Sequence, residues 1–571
     1  MANTNRIYGI DLGTTYSCIS YLDENNRPVV IAGDNNRLVT PSVVYIAPDG
    51  GVTVGETAKE YARVEPDSTV TLVKRHMGDS TWVRDISGTQ YRPEDISGHI
   101  LSKLKNAAKA ALGDEVTDVV ITVPAYFGSA ERTATEQAGQ LAGLKVHQLI
   151  PEPTAAAVFY AVSEKQDQTV MVYDLGGGTF DITVMNVSEG NRVTVICTDG
   201  DSVLGGQDWD DRLVNYIAEV WQQEHGYETH PLDDPETAQD INNSAENAKI
   251  NLSSREQVPM TVQHGAGRTR VDLTREKFDE LTADLLTRTM ELTKKTLEVA
   301  KSKGHAQLDK ILLVGGSTYM PQVKERLLIE VPGIPIEALD PDQCVAKGAA
   351  IYGSNVQIKE AYEQAIADTL GENVSLKDVD ALSVEQKDQI AQEALKNLPG
   401  NITLAALEDG RTQEIVNACS KNFGVVTYDP TRSIYQITFM IFKNDPVPSK
   451  KPKLLATLGD NQRQMYFAIV EANGDNLEES VDLTSTRNGP DQYELPQYAL
   501  EIGTMTLDLP PNLPTGTPVT ITYTLSEDGG KLNADAEHSS GSKITTEILQ
   551  VGALTPEEMA HRLGTRSMEV T

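Results

Sequence analysis

The sequence predicts a mixed α/β protein whose first part is built twice, followed by a helical insertion and an all-β sandwich. Three patterns predict it. Strands alternate with amphipathic helices from the N-terminus to about residue 356. The motif D-L-G with a threonine close behind it occurs at Asp11 (D-L-G-T-T) and again at Asp174 (D-L-G-G-G-T), each time between two apolar strands, as a duplicated unit would place it. Beyond about residue 413, apolar residues and threonines alternate with a period of two, punctuated by Pro and Gly.

Taken in order, Ile7 to Tyr21 (I-Y-G-I-D-L-G-T-T-Y-S-C-I-S-Y) reads as strand, carboxylate, glycine turn, strand. Asp118 to Pro124 predicts a strand and Ala130 to Ala142 a helix, with Ser129 as its N-cap. Val170 to Tyr173 is the strand before Asp174, Gly176 to Gly178 turn the chain, and Ile182 to Val187 is the return strand. Leu308 to Val314 predicts another strand, turned by Gly315 and Gly316 into a helix near Met320 to Ile329.

At Gln357 the character changes. Ile358 to Leu370 and Val384 to Leu398 predict two charged helices separated by Gly371 to Asp380, and Pro399 and Gly400 end the second. The pair reads as a solvated spacer or as a partner-docking hairpin. Ile434 to Phe442, Gln464 to Val470, Val519 to Leu525 and Ile544 to Leu549 predict strands of an antiparallel sandwich. After about Val551 a short helix is expected, capped by Thr555, with Pro556 in its first turn and Glu557 and Glu558 suiting its dipole. The expected divisions are 1–356, 357–411, 412–550 and 551–571.

The 571 residues leave room for about four domain-sized units. A balance of 49 basic against 83 acidic residues gives a net charge of −34, which repels phosphate backbones and anionic lipid, so no nucleic-acid or membrane-surface role is expected. Cys18, Cys197, Cys344 and Cys419 are scattered without a C-x-x-C, so neither a disulfide framework nor a zinc site is expected. A polar start and the lack of a bilayer-length apolar run predict no signal peptide, no membrane span and a cytoplasmic setting.

The twin turns point to triphosphate chemistry. The amides of Gly13, Thr14, Thr15 and Tyr16, and of Gly176, Gly177, Gly178 and Thr179, can approach phosphate oxygens where no Cβ intervenes. Asp11, Asp174 and Asp181 are hard oxygen donors suited to Mg²⁺, mostly through water. Lys74, in V-K-R, is placed to reach a transferring phosphate. Glu246, Lys249 and Ser253 share one helix face that suits a ribose and a base edge, with Gly315 and Gly316 opposite. No G-x-x-x-x-G-K-[ST], no G-x-G-x-x-G after a strand and no H-E-x-x-H is present, so other nucleotide and zinc readings fall.

Residues 10–17 (I-D-L-G-T-T-Y-S), 73–75 (V-K-R), 121–127 (I-T-V-P-A-Y-F), 151–157 (P-E-P-T-A-A-A), 173–182 (Y-D-L-G-G-G-T-F-D-I), 204–210 (L-G-G-Q-D-W-D), 248–254 (A-K-I-N-L-S-S), 313–318 (L-V-G-G-S-T) and 340–350 (D-P-D-Q-C-V-A-K-G-A-A) follow one another in an order that resembles the seventy-kilodalton heat-shock chaperone (DnaK-type) family. The resemblance implies an actin-like ATPase domain that binds ATP or ADP with Mg²⁺. It implies that Lys74, Glu152, Thr179 and Asp181, with Asp11 and Asp174, position water and γ-phosphate, and that hydrolysis is slow without a partner. It adds Gly205, Gly206, Ser317 and Asp342 to the nucleotide contacts, and makes Pro124, Arg132 and Glu152 a relay to the domain surface. Stretches 422–427, 443–449 and 459–467 resemble the family's peptide-binding sandwich, which puts Met465 at the floor of a pocket, Phe467 nearby and Tyr428 in an arch over an unfolded or extended polypeptide.

The chain also departs from that pattern. Gln148 and Pro151 replace an arginine and an asparagine that help dock J-domain partners, Gln207 replaces a glutamate, and Tyr319 stands where some members place an arginine against the adenine. Only Ile415 and Val416 remain of the apolar linker, and too few residues follow the sandwich for a helical lid. The expected function is an ATP-dependent chaperone without a lid, served by a nucleotide-exchange factor. An ATP-switched scaffold with one dedicated partner is an alternative, and a small-molecule kinase of the actin-like superfamily a more distant one.

Overall fold

One antiparallel hairpin and one right-flanking parallel strand, repeated in two sheets, organise the α/β part. The computed structural model describes residues 6–162, 166–188, 192–371, 376–400, 402–475, 477–485, 493–547, 553–565 and 570. The first sheet contains β1 (Tyr8–Asp11), β2 (Tyr16–Leu22), β3 (Pro28–Val30), β4 (Asp118–Val123) and β5 (Lys145–Pro151), in the spatial order β5-β4-β1-β2-β3. The second contains β6 (Gln168–Leu175), β7 (Phe180–Ser188), β8 (Arg192–Asp201), β9 (Lys310–Val314) and β10 (Ile336–Ala338), in the order β10-β9-β6-β7-β8. β1 and β2 pair antiparallel, with Ile10 opposite Ile19, while β4 lies parallel to β1. β6 and β7 do the same, with Tyr173 opposite Ile182, and β9 lies parallel to β6. The duplication read from the paired D-L-G turns is therefore a duplication of topology.

Helices cover these sheets: α1 (Glu56–Val64), α2 (Pro93–Leu112), α3 (Ser129–Leu141), α4 (Glu152–Ala161), α5 (Gly206–His225), α6 (Pro235–Leu252), α7 (Arg275–Ser302), α8 (Pro321–Glu330) and α9 (Cys344–Leu370). Apolar runs such as Val170 to Tyr173 are buried on both faces, because helices lie on either side of a strand in this arrangement. Trp209, Leu213 and Ile217 of α5 recur at helical spacing and pack with Phe180 and Ile182 of β7 in one core.

The first of the two expected charged helices is the end of α9. The second is α10 (Val384–Lys396), started by Ser383 and Gln386 as a reciprocal cap. A third helix that the sequence reading lacks, α11 (Leu404–Thr412), completes the unit. Ile358, Tyr362, Ile366, Ile390, Ala394 and Leu407 bury one another, so the insertion has a core of its own and is more than a solvated spacer.

The chain then returns to the second sheet. β11 (Ile415–Ala418) joins β8 in parallel, with Val193 opposite Ile415 and Thr194 opposite Val416. The sandwich follows with β12 (Asn422–Asp429), β13 (Ile434–Ile441), β14 (Pro446–Val447), β15 (Ser449–Ala456), β16 (Gln464–Ala472), β17 (Ser480–Asp482), β18 (Ala499–Asp508), β19 (Pro518–Leu525), β20 (Leu532–His538) and β21 (Lys543–Glu547). One face has the order β17-β13-β12-β16-β18 and the other β15-β19-β20-β21, with β14 pairing against β11. Phe423, Phe467, Ile521 and Tyr523 fill the space between the faces, each contributing roughly 1.5–3 kcal/mol by burial. Residues 548 and 549, the expected end of the last strand, lie outside the described residues. The expected C-terminal helix is α12 (Pro556–Thr565), with Glu558 N–H donating to Thr555 Oγ1 at 3.2 Å.

Candidate functional site

Asp11 ends β1 and Asp174 sits near the end of β6, so the two matched hairpins deliver both carboxylates to one cavity of about 600 Å³. Gly13, Thr14, Thr15 and Tyr16 line it from the first hairpin, and Gly176, Gly177 and Thr179 from the second. The hairpins touch: a Cβ built on Gly177 would lie 2.0 Å from Thr15 Oγ1, and one on Gly178 2.3 Å from Thr14 Cγ2. Only glycine allows that approach. The amides of Gly13 and Gly176 are used within their own turns, by Ser17 Oγ at 3.1 Å and Thr179 O at 3.0 Å. The residues that follow them in each turn, Thr14, Thr15 and Tyr16 on one side and Gly177 and Thr179 on the other, line the cavity.

Lys74 and Glu152 form a buried ion pair that also lines the cavity. Asp181 stands one step back, its Oδ1 accepting the Ala125 N–H at 3.0 Å. Thr122 Oγ1 donates to Asp11 Oδ1 at 3.2 Å. Burial first, and then the charge of Glu152, pushes the Asp11 carboxyl up to about 7, with Lys74 and Thr122 opposing. Burial followed by Glu152 likewise raises Asp174 and Asp181 well above the ordinary carboxylate range. Four carboxylates around one lysine leave excess negative charge, and that donor set fits a hydrated divalent cation. Asp11, Asp174 and Asp181 would hold Mg²⁺, which would supply charge neutralisation to bound phosphates. Among the described residues no group of three or more His, Cys, Asp or Glu closes on a common ion position.

A titration follows. In the metal-free chain the raised Asp11 value makes stability fall as pH rises from 3.8 through about 7, because the folded state holds the proton longer. Magnesium binding needs ionised ligands. Adding Mg²⁺ is therefore expected to raise the melting temperature more at pH 8 than at pH 5.5, as read by differential scanning calorimetry.

The far wall differs in detail from the sequence reading. Glu246 and Lys249 do share a face of α6, but Lys249 turns into Asp210 (2.5 Å) and the Gly206 carbonyl (2.9 Å). Burial raises the Asp210 carboxyl to about 6 against the pull of Lys249. Glu246 accepts Tyr16 OH at 2.9 Å and pairs with Lys59 of α1, which joins the two halves across the mouth. Ser253, at the C-cap of α6, is not among the residues lining the cavity; Asn242, Asn243 and Ile250 are. Gly315, Gly316, Ser317 and Asp342 line the opposite wall, where Ser317 Oγ donates to Gly176 O at 2.8 Å. Gly205 and Gly206 sit behind the second hairpin, and the Gly206 N–H donates to Gly176 O at 2.9 Å. Tyr319 stands half-exposed at the rim with its hydroxyl 3.5 Å from Asp342 Oδ1. Lys59, Asp210 and Arg75, which holds Gly178 O at 3.0 Å and Asp208 at 2.7 Å, were missed in the sequence. Each looks like a surface charge until its distant partner is placed.

From this cavity β4 leads through Pro124 to α3. Arg132 is buried on α3, donates to Phe127 O at 3.0 Å and has the Gly530 turn of the sandwich against its side chain. Glu471 of β16 meets the first turn of α3, accepting Ser129 Oγ at 3.2 Å. Thr198 N–H donates to Asn444 Oδ1 at 2.9 Å, and Lys443 reaches Asp199 and Asp475, both at 2.9 Å. The outer ion pairs contribute roughly 0.2–1 kcal/mol each. The buried contacts and the added strand β11 therefore hold the sandwich in place. Within it, Met465 is 9 % and Phe467 2 % exposed, both in the core, while Tyr428 lies against Tyr435 with ring centroids 5.1 Å apart.

A topology built twice around a carboxylate-lined cleft, with a sandwich docked beside it, defines the class of protein. The chain matches the Hsp70 protein family over residues 7–86 and 79–436, and it belongs to the Hsp70 family. The match takes in the α/β part, the helical unit and the first strand of the sandwich. Members of this family are ATPases and chaperones that bind ATP or ADP with Mg²⁺. Among the described residues no helix is long and apolar enough to cross a membrane.

Proposed function

We propose that this chain is an ATP-dependent chaperone with an actin-like, two-lobed ATPase part at 1–356, a helical insertion at 357–411, and a sandwich at 412–550 that binds extended polypeptide. The meeting of both glycine hairpins around Lys74, Glu152, Asp11 and Asp174 carries the reading, because a triphosphate and its cation meet their complementary charges there. Thr179, Asp181 and Glu152 position water and phosphate, and Pro124, Arg132 and Glu152 pass the state of the cleft to α3 and so to the docked sandwich. Gln148 is engaged by Tyr352 of α9, and its neighbour His147 bonds Glu360 at 3.0 Å. Ordinary J-domain stimulation is left out of the proposal; a nucleotide-exchange factor and a cytoplasmic setting stay within it.

The burial of Met465 and Phe467 moves the expected peptide contact. β15 ends its sheet, with Leu454 68 % exposed on it and Leu458 53 % exposed just beyond. Lys450, Lys451, Pro452 and Lys453 guard the same edge, as an edge strand kept from aggregation requires. An extended segment can add along β15 and rest an apolar side chain on Leu454 and Leu458. The test is peptide dissociation measured with ATP and with ADP, for the natural chain and for Leu454→Asp. We expect the substitution to weaken binding by about tenfold or more, since an apolar contact of this size is worth roughly 1.5–3 kcal/mol. Unaltered affinity would remove β15 as the site. The same burial favours the second reading, an ATP-switched scaffold, and a peptide array answered by a single sequence would support it.

A further inference from the structure

The C-terminal helix packs on the ATPase part and leaves the sandwich uncovered. Gln137 of α3 treats Leu554 as a strand neighbour: its Nε2 donates to Leu554 O at 2.7 Å and its Oε1 accepts the Leu554 N–H at 3.0 Å. Leu554 and Met559 bury against Leu141, one turn further along α3. Arg562 pairs with Asp95, the fully buried third residue of α2, and Val570 packs on the core beneath the first sheet.

These contacts continue a row. Ser129, Arg132 and Glu136 of α3 meet Glu471, Gly530 and Lys531 of the sandwich, and Gln137 and Leu141 then meet the tail. Ser129, Arg132 and Glu136 share one face by steps of three and four, and Gln137 and Leu141, four apart, share the adjoining face. Meanwhile β11 fastens the other end of the sandwich to β8 of the second sheet. The sandwich is therefore held at both of its chain ends, one on each half of the α/β part.

We propose that α12 is a clasp that keeps the sandwich docked even when the cleft holds ADP. The proposal rests on the reading above, in which the state of the cleft passes through α3 to the docked sandwich, and it takes ADP as the state that loosens that docking. Two attachments on one body reinforce each other: when β11 lets go, the clasp keeps it at high effective concentration beside β8, so rebinding is intramolecular. Undocking then requires both to release together. The chain has turned a switchable contact into a nearly permanent one.

Hydrogen exchange of the Val193 and Val416 amides tests this in the full chain: the Val193 N–H donates to Glu414 O at 2.9 Å where β8 and β11 pair, so their protection reports the opening of β11. The variants are Met559→Asp, which charges the buried face of α12, and Arg562→Ala. The second leaves Asp95 bonded to the Arg92 N–H at 2.8 Å, so the start of α2 keeps its cap. In the natural chain the two amides are expected to exchange at the same rate with ATP and with ADP. In either variant they should exchange about tenfold faster with ADP than with ATP. Exchange in ADP that is the same in the variants as in the natural chain would overturn the clasp. So would a natural chain that ADP alone releases to the same extent. If the nucleotide reading is what fails, ATP and ADP will act alike in every protein while both variants still exchange faster than the natural chain.

Discussion

Replacing Lys74 by alanine is expected to lower ATP turnover by roughly 10²–10³-fold, the loss that follows removal of one preorganised charge at a reacting phosphate. Lys74 lines the cavity with Glu152, Asp11 and Asp174 and pairs with Glu152, and it is buried, so solvent does not replace it. Its removal also leaves Glu152 buried without its partner, and breaking such a pair costs roughly 3–5 kcal/mol. Activity and stability should therefore fall together in the single variant. A second substitution separates them. In Lys74→Ala with Glu152→Ala, the orphaned carboxylate is gone and much of the melting temperature should return, while turnover stays low. Phosphate release at saturating MgATP, normalised to folded protein, is the measurement. Natural turnover in Lys74→Ala would remove the site from the cleft altogether.

The parts of this arrangement that could be read from the sequence are those encoded by near neighbours. Asp11 and Asp174 announce themselves because strand, carboxylate and glycine turn lie within a dozen residues, and the repeat of that pattern gives the two-sheet topology with it. The alternation from Val519 to Leu525 is equally local, and it is a strand with Val519, Ile521 and Tyr523 on the buried side. What the sequence hides are pairings across long loops. Lys249 reads as a base contact, yet Asp210 claims it, because a buried ammonium must find a carboxylate and α5 supplies one. Lys59 reads as a solvated charge on α1 until α6 brings Glu246 over the same cleft. α11 was missed because Gly410 interrupts a short, weakly patterned helix that Ile358 and Tyr362 stabilise from outside. Ile415 and Val416 looked like the remnant of a linker, and only the open edge of β8 makes them a strand. Met465 and Phe467, expected at and beside a pocket floor from the family pattern, lie among the large apolar residues that fill the sandwich core.

Gly205→Ala is expected to weaken ATP binding by roughly 10–100-fold without touching a single charged group, the equivalent of the roughly 1–3 kcal/mol that overpacking costs when it falls on the cradle itself. The backbone of Gly205 is extended (φ −163°), so alanine meets no torsional objection there. The obstacle is space. A Cβ on Gly205 would lie 2.5 Å from the carbonyl carbon and the nitrogen of Gly178, both backbone atoms that no rotamer change can move. The second hairpin must shift, yet it is fixed on both sides. Gly206 and Gln207 donate to the carbonyls of Gly176 and Gly177 at 2.9 and 2.7 Å, and Thr14 and Thr15 of the first hairpin press on Gly178 and Gly177 from across the cleft. Relief comes either by parting the hairpins or by pulling α5 off the turn, and both widen the phosphate cradle. Overpacking of this sort also lowers stability by roughly 1–3 kcal/mol. Gly316→Ala is the control, since no atom lies within 4 Å of its Cβ position, and its stability should stay within about 0.5 kcal/mol of the natural chain. Calorimetric titration with MgATP distinguishes the outcomes. Unchanged affinity in Gly205→Ala would mean that contact between the hairpins does not set the cradle, and that the triphosphate is gripped from one half alone.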